Sequence, residues 1–203
     1  RTKNFLYSGV HHHRIHLSTL GGKLPVEQAK AILDHVFTSQ AESLQIVMVQ
    51  GPAALDAGLI SFIHEFAEEK NKYERRQITY TLHGSCDGLD NSTTSILIEK
   101  SIQLHALFDG SETLHNAQQS THGGASYAAT NARIAVAHKA IESANKTDGA
   151  YSISAEVHVG QAASGQAKHI IQGLQDAGIE RFRLTPILEG EQAIHPNDYG
   201  EFI

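Results

Sequence analysis

Short runs of apolar or alternating residues recur along the chain, separated by segments whose apolar residues follow helical spacing. The runs predict β-strands at residues 44–49, 78–82, 102–108, 151–159 and 182–188, with a first strand at about residues 3–7. The helical spacing predicts helices at residues 26–37, 59–66, 92–100, 127–141 and 170–177. Because strands and helices alternate, the pattern predicts βαβ units and an α/β fold with a parallel sheet.

Several predicted strands alternate apolar with polar residues, whereas a parallel strand that is dry on both faces is apolar throughout. If the apolar face packs under the helices, the polar face lines a common interior, where it needs water, a ligand or mutual pairing. Ligands of parallel α/β folds bind at the carboxyl ends of the strands. The pattern therefore predicts a ligand pocket formed by His83, His105, Glu156, His158 and Arg183. A polar network that satisfies itself, or exposure at an unclosed sheet edge, fits the same pattern.

The charge and cysteine content narrow the function classes. Sixteen Lys and Arg against 22 Asp and Glu give a net charge of −6 without a basic stripe, which argues against a nucleic-acid partner. No apolar run approaches the roughly 18 residues of a membrane-spanning helix, so we expect no membrane association. The single cysteine, Cys86, excludes an intrachain disulfide and fits a reducing, cytoplasmic environment.

Fourteen histidines are unusual in a chain of 203 residues, and several of them lie together at residues 11–16. Imidazole is a common ligand of zinc and iron. A metal hypothesis takes His13 and His16 as ligands of one ion, completed across the interior by His83, His105 or Glu156. The alternative is a solvated His-rich loop that binds no metal.

Several motifs in order along the chain carry a family resemblance. They are residues 43–51 with Leu59-Ile60, Leu107 to Gly110 with His115-Asn116, Thr121 to Tyr127, and Gly178-Ile179 with Phe182 to Pro186. Together they resemble the radical S-adenosylmethionine (radical SAM) family, in particular its peptide-maturase (SPASM, His-Xaa-Ser system) branch. The resemblance implies a parallel (β/α)6 partial TIM-like barrel, as a single domain over residues 1–203.

The catalytic motifs of that family are altered in this sequence. The family binds a four-iron cluster through Cys-x3-Cys-x2-Cys after its first strand, and Gly9, His13 and His16 stand at the corresponding positions. Cluster binding requires three thiolates, which Cys86 alone cannot supply. The family's Gly-Gly-Glu-Pro loop is replaced by Gln50-Gly51-Pro52-Ala53, which lacks the acidic residue. The resemblance therefore implies a degenerate member without a 4Fe–4S cluster.

These observations lead to competing functional hypotheses. The first is a pseudoenzyme domain that serves as a binding or partner subunit in peptide modification, with a peptide substrate or a peptide-modifying enzyme as its partner. The alternative is a metal-dependent enzyme with a His-rich site at the barrel mouth, for which zinc or iron would be suitable. A third is a nucleotide or S-adenosylmethionine binder without redox chemistry. Asp109 and His115 could form an acid/base pair, although strand-end turn chemistry explains Asp109-Gly110 more simply.

Overall fold

The computed structural model describes residues 10–19, 22–51, 53–122, 125–144, 151–188 and 193–195, with residues 119–122 described by their backbone alone. Its strands, in chain order, are β1 (Val10–His16), β2 (Ser18–Thr19), β3 (Gly22–Lys23), β4 (Ser43–Val49), β5 (Gln77–Gly84), β6 (Gln103–Leu107), β7 (Ile153–Val159) and β8 (Arg181–Pro186). Its helices are α1 (Val26–Val36), α2 (Ala57–Glu74), α3 (Asn91–Glu99), α4 (Glu112–His122), α5 (Tyr127–Ser143) and α6 (Ala167–Asp176).

The main sheet has the strand order β1-β4-β5-β6-β7-β8, and every neighbouring pair is parallel. In the described part of the chain, β1 and β8 are the two edges and do not pair with each other. Side chains from all six of these strands nevertheless line one cavity, so the sheet is curled into a half-barrel. The predicted α/β fold, a parallel (β/α)6 partial TIM-like barrel, is confirmed.

The hydrophobic core lies between the outer face of the sheet and the helices. On β4, Leu44, Ile46 and Met48 alternate outward and are at most 1% exposed. Ile60 and Ile63 of α2 are fully buried in the same core. Because alternate side chains of a strand point to opposite faces, the residues between these apolar positions face the interior of the half-barrel.

Helix boundaries follow capping chemistry that is visible in the sequence. Asp56 accepts a hydrogen bond from the Leu59 amide at 3.1 Å and begins α2, and Asp90 accepts one from the Thr93 amide at 2.7 Å and begins α3. Gly178 has a φ of +72° and stands just after α6, where a left-handed glycine ends the helix. None of the described helices combines the length and apolarity needed to cross a bilayer.

The first strand of the structure differs from the prediction. Residues 3–7 lie outside the described residues, and the first strand observed is β1, which includes the whole His-rich run. The run is therefore not a loop: it pairs with β4 along its whole length, from Val10 beside Ser43 to His16 beside Val49. Hydropathy missed it because Ile15 is the one buried residue of this strand: His12 and Arg14 line the interior, and on the opposite face His11 Nδ1 lies 2.8 Å from Ser39 Oγ.

Helix α4 was also not predicted. Its inner face carries Leu114, His115 and Gln118, all buried, so the apolar periodicity that signals a helix is interrupted by polar residues. These polar residues are hydrogen-bonded: Gln118 Nε2, for example, donates to the His158 carbonyl at 2.8 Å. A helix whose inner face is partly polar has a weak hydropathy signature.

Candidate functional site

A cavity of about 710 Å³ occupies the interior of the half-barrel. Every strand of the main sheet contributes to its wall, including β1 at one edge through His12 and Arg14 and β8 at the other edge through Arg181 and Arg183. A volume in this range is typical of small-molecule sites. The cavity is lined mainly by the amino-terminal and middle parts of the strands, from Gln103 and Arg181 at two strand starts to His83 near the end of β5, so it lies deeper in the barrel than the predicted pocket.

Glu156 is the central polar group of this wall. It lies on β7, its residue is only 4% exposed, and its neighbour in the parallel register of β8 is Arg183. Arg183 Nη2 donates a hydrogen bond to Glu156 Oε2 at 2.9 Å, and Thr185 Oγ1 donates to Oε1 at 2.7 Å. Both oxygens of the carboxylate are therefore held by donors on the adjacent strand.

Two histidines face the same carboxylate from the other side. His83 and His105 are adjacent in the register of β5 and β6, with ring centroids 5.3 Å apart. The Nε2 atoms of His83 and His105 lie 3.0 Å and 3.6 Å from Glu156 Oε2. Within the described part of the chain, His83 Nε2 nevertheless makes no hydrogen bond of acceptable geometry, and its Nδ1 atom is also buried without a partner.

The surroundings keep Glu156 ionised. The pKa of its carboxyl lies far below the usual range, first because of the His105 and His83 imidazoles. Thr185 and Arg183 lower this pKa further, while burial opposes them. The site thus combines a fixed negative charge with two imidazole nitrogens, which is a ligand set for a divalent metal.

The structure brings His83, His105, Glu156 and Arg183 of the predicted pocket together. The fifth predicted residue, His158, lies at the margin: its Nε2 atom is 3.8 Å from Glu156 Oε1. The predicted pocket left out several other residues of the cavity wall. They include Arg14, Gln45, Gln103, Ser152, Ser154 and Arg181. Most of these residues continue the alternation of polar and apolar positions along their strands, but the predicted pocket included only residues nearer the carboxyl ends.

The structure does not bring His13 and His16 together. They are three residues apart on β1, so they point to opposite faces of the strand. Burial is the main cause that lowers the pKa of His13, and the nearby His11 and His35 lower it further. His16 is exposed, and neither belongs to the His83, His105 and Glu156 group.

Asp109 and His115 form a buried pair outside the cavity wall. His115 Nδ1 lies 3.0 Å from Asp109 Oδ2, and His115 Nε2 donates to the Ala125 carbonyl at 3.1 Å. Asp109 Oδ1 accepts a hydrogen bond from the His158 amide at 2.9 Å. The pair therefore ties the end of β6 to β7, to α4 and to the start of α5, which is a structural role.

The donor set does not fit a thiolate-bound iron–sulfur cluster. The placement of His13 and His16 at two cluster positions is wrong, because both lie within the first described strand rather than in the loop that follows it. That loop, residues 17–25, contains no cysteine. Cys86 follows β5, is 1% exposed and has a pKa raised to about 12 by burial. Gly9, which stood at the remaining cluster position, lies outside the described residues.

Comparisons with known proteins identify the fold. No protein-family model and no curated protein matches the sequence. Among solved structures, the chain is similar to native anSMEcpe with bound AdoMet, with a TM-score of 0.65 and 13% identity over 89% of this chain and 49% of that one. It is also similar to native anSMEcpe with bound AdoMet and the Cp18Cys peptide, with a TM-score of 0.69 and 12% identity over 95% of this chain and 57% of that one. The chain thus spans about half the length of these structures, and its fold is radical SAM-like.

Proposed function

We propose that this chain is a radical SAM-like barrel that does not carry out cluster-dependent chemistry and that binds a peptide in its interior, as a binding or partner subunit in peptide modification. The observation that carries the proposal is the cavity of about 710 Å³, walled by all six strands of the main sheet, in a barrel whose first loop offers no thiol. A neighbouring structure, anSMEcpe with AdoMet and the Cp18Cys peptide, supports a peptide as the class of ligand.

The charge of the cavity favours an anionic group on that ligand. Among the described residues of the wall, Glu156 is the one carboxylate, and Arg183 pairs with it. Arg181 donates to Ser152 Oγ, and Arg14 has no ion-pair partner among the described residues. Two guanidinium groups are therefore available for a carboxylate, which arginine binds in a bidentate manner. A peptide C-terminus or an acidic side chain has this chemistry.

Peptide binding tests the proposal. Fluorescence anisotropy would compare labelled short peptides with a free C-terminal carboxylate or acidic side chain against their amidated, neutral counterparts. The double variant Arg14→Gln/Arg181→Gln should weaken binding of the carboxylate peptides at least about tenfold, about 1.4 kcal/mol. The control Lys30→Gln/Lys139→Gln removes the same charge from exposed helix positions and should bind as the wild type does.

Two outcomes contradict the proposal. Binding that ignores the carboxylate, or that both double variants weaken equally, removes the role of the arginines and points to overall charge. A cluster absorbance after anaerobic reconstitution with iron and sulfide would contradict the claim that cluster-dependent chemistry is absent.

The second candidate function is a metal-dependent enzyme. The observation that favours it is the grouping of His83, His105 and Glu156, and not the His-rich run on β1 from which the sequence suggested it. Its test is hydrolysis of peptide and ester substrates by zinc-loaded and metal-stripped protein, with loss of zinc-dependent turnover in His105→Gln. Equal rates with and without metal would rule this candidate out.

A further inference from the structure

Three side chains of the cavity wall have the spacing of ligands to one metal ion. The ligand atoms of His83, His105 and Glu156 all lie within 4.8 Å of one another. The two distances to Glu156 Oε2 are 3.0 Å and 3.6 Å. A tetrahedral ion with bonds of about 2.0–2.2 Å places its ligand atoms about 3.3–3.6 Å apart. The site therefore needs little adjustment to close around an ion.

The orientation of His83 points to a missing partner. The residue is 9% exposed, and neither ring nitrogen has a hydrogen-bond partner among the residues that the structure describes. Nε2 lies 3.0 Å from a carboxylate oxygen but is not aimed at it well enough to form a hydrogen bond. Two ligands of one ion show this geometry, because the lone pair of each points at the ion between them and not at the other ligand.

His105 is held in place by a second residue. Ser154 Oγ lies 2.7 Å from His105 Nδ1 and donates to the Leu104 carbonyl at 3.4 Å. When the Ser154 hydroxyl donates to that carbonyl, its Oγ can accept from His105 Nδ1–H, and this is the tautomer that presents the Nε2 lone pair to a metal ion. Metal-bound histidines commonly have their other nitrogen fixed in this way.

We infer that His83, His105 and Glu156 bind one divalent transition-metal ion of the zinc type, with the remaining coordination position open to the cavity. Two imidazoles and one carboxylate suit zinc, and cobalt as its spectroscopic substitute, better than magnesium or calcium, which prefer oxygen ligands. The inference goes beyond the proposed peptide binding, which rests on Arg14 and Arg181 and does not require a metal.

Arg183 is the one contact that opposes metal binding. Its guanidinium donates to Glu156 Oε2, the oxygen nearest both histidines, and would repel a cation there. Its side chain is 61% exposed, so it can leave that oxygen without losing a buried position. We therefore expect Arg183→Gln to bind the metal more tightly than the wild type, although the substitution removes a side chain that contacts the site.

The experiment is a titration of chelator-stripped protein with Co²⁺, followed by visible absorption, with Zn²⁺ competition. The background variant His11→Gln/His16→Gln removes exposed imidazoles that could bind metal nonspecifically. In that background we expect one equivalent of Co²⁺ with the intense bands of tetrahedral coordination. His105→Gln or Glu156→Gln should weaken binding about 100-fold, and the exposed control His169→Gln should leave it unchanged.

Circular dichroism must show each variant folded, and Arg183→Gln provides a readout that does not depend on damaging the site. Tighter Co²⁺ binding in Arg183→Gln supports the assignment. Three results overturn the assignment: loss of Co²⁺ binding in the background variant, Co²⁺ binding that His105→Gln leaves intact, or a titration that never reaches one equivalent. The peptide assay is run on the stripped protein, so a failure of metal binding and a failure of peptide binding are observed separately.

Discussion

The structural role of the buried pair of Asp109 and His115 can be tested directly by measuring stability. Both residues are 0% exposed, and the two carboxylate oxygens of Asp109 serve different partners, namely the His115 ring and the His158 amide. In Asp109→Ala both carboxylate oxygens are removed. The buried His158 amide then has no acceptor in place of Asp109 Oδ1, and the His115 ring loses its partner at Nδ1.

The expected cost is about 3 kcal/mol. A buried donor left without an acceptor costs about 1–3 kcal/mol, and loss of the charge-assisted bond adds to this. For a chain of this size each kcal/mol lowers Tm by about 2–4 °C, so the variant should melt about 6–12 °C below the wild type. Urea unfolding followed by circular dichroism measures the free energy, and a thermal melt measures the shift.

The matched control is Asp34→Ala, which removes a carboxylate 2.5 Å from Lys70 Nζ on the surface. Such surface pairs contribute about 0–1 kcal/mol, so the control should change stability by no more than that. If Asp109→Ala unfolds within about 0.5 kcal/mol of the wild type, the pair does not stabilise this end of the barrel and the structural reasoning fails.

Three further predictions follow from the structure. The wild type should be more stable than Glu156→Gln near neutral pH, and this difference should shrink below about pH 4.3, the usual glutamate pKa. The reason is that folding lowers the pKa of Glu156, so the stability that the ionised carboxylate contributes is lost as acid protonates it. Urea unfolding at several pH values measures the difference, and a difference that does not change with pH contradicts the prediction. Gly173→Ala should cost about 1–3 kcal/mol, since its Cβ would lie 1.8 Å from the Gly110 carbonyl oxygen; an unchanged melt would show that the two backbones separate freely. The Cys86 thiol, with a pKa raised to about 12 by burial, should resist a thiol reagent at pH 8 until denaturant is added; fast labelling of the native protein would show that the thiol is accessible.

The sequence by itself determined that strands and helices alternate along the chain and that the interior of the half-barrel is polar. Both are local properties, because the side-chain period of a strand is fixed by the backbone and a helix with an apolar inner face shows helical spacing in the sequence, which α4 with its polar inner face does not. For this reason the strands from β4 onward were predicted nearly in place, and Glu156 and His105 could be assigned to an inner face from their neighbours alone.

Only the tertiary structure decided which inner residues meet. The contact of His83 and His105 with Glu156 depends on the register of β5, β6 and β7, which is set by long-range pairing and by the curl of the sheet. The strand that carries the His-rich run was not recognised, because its pairing with β4 and not its own hydropathy makes it a strand. That pairing separates His13 from His16, and the curl places two histidines and a carboxylate from three other strands around one point.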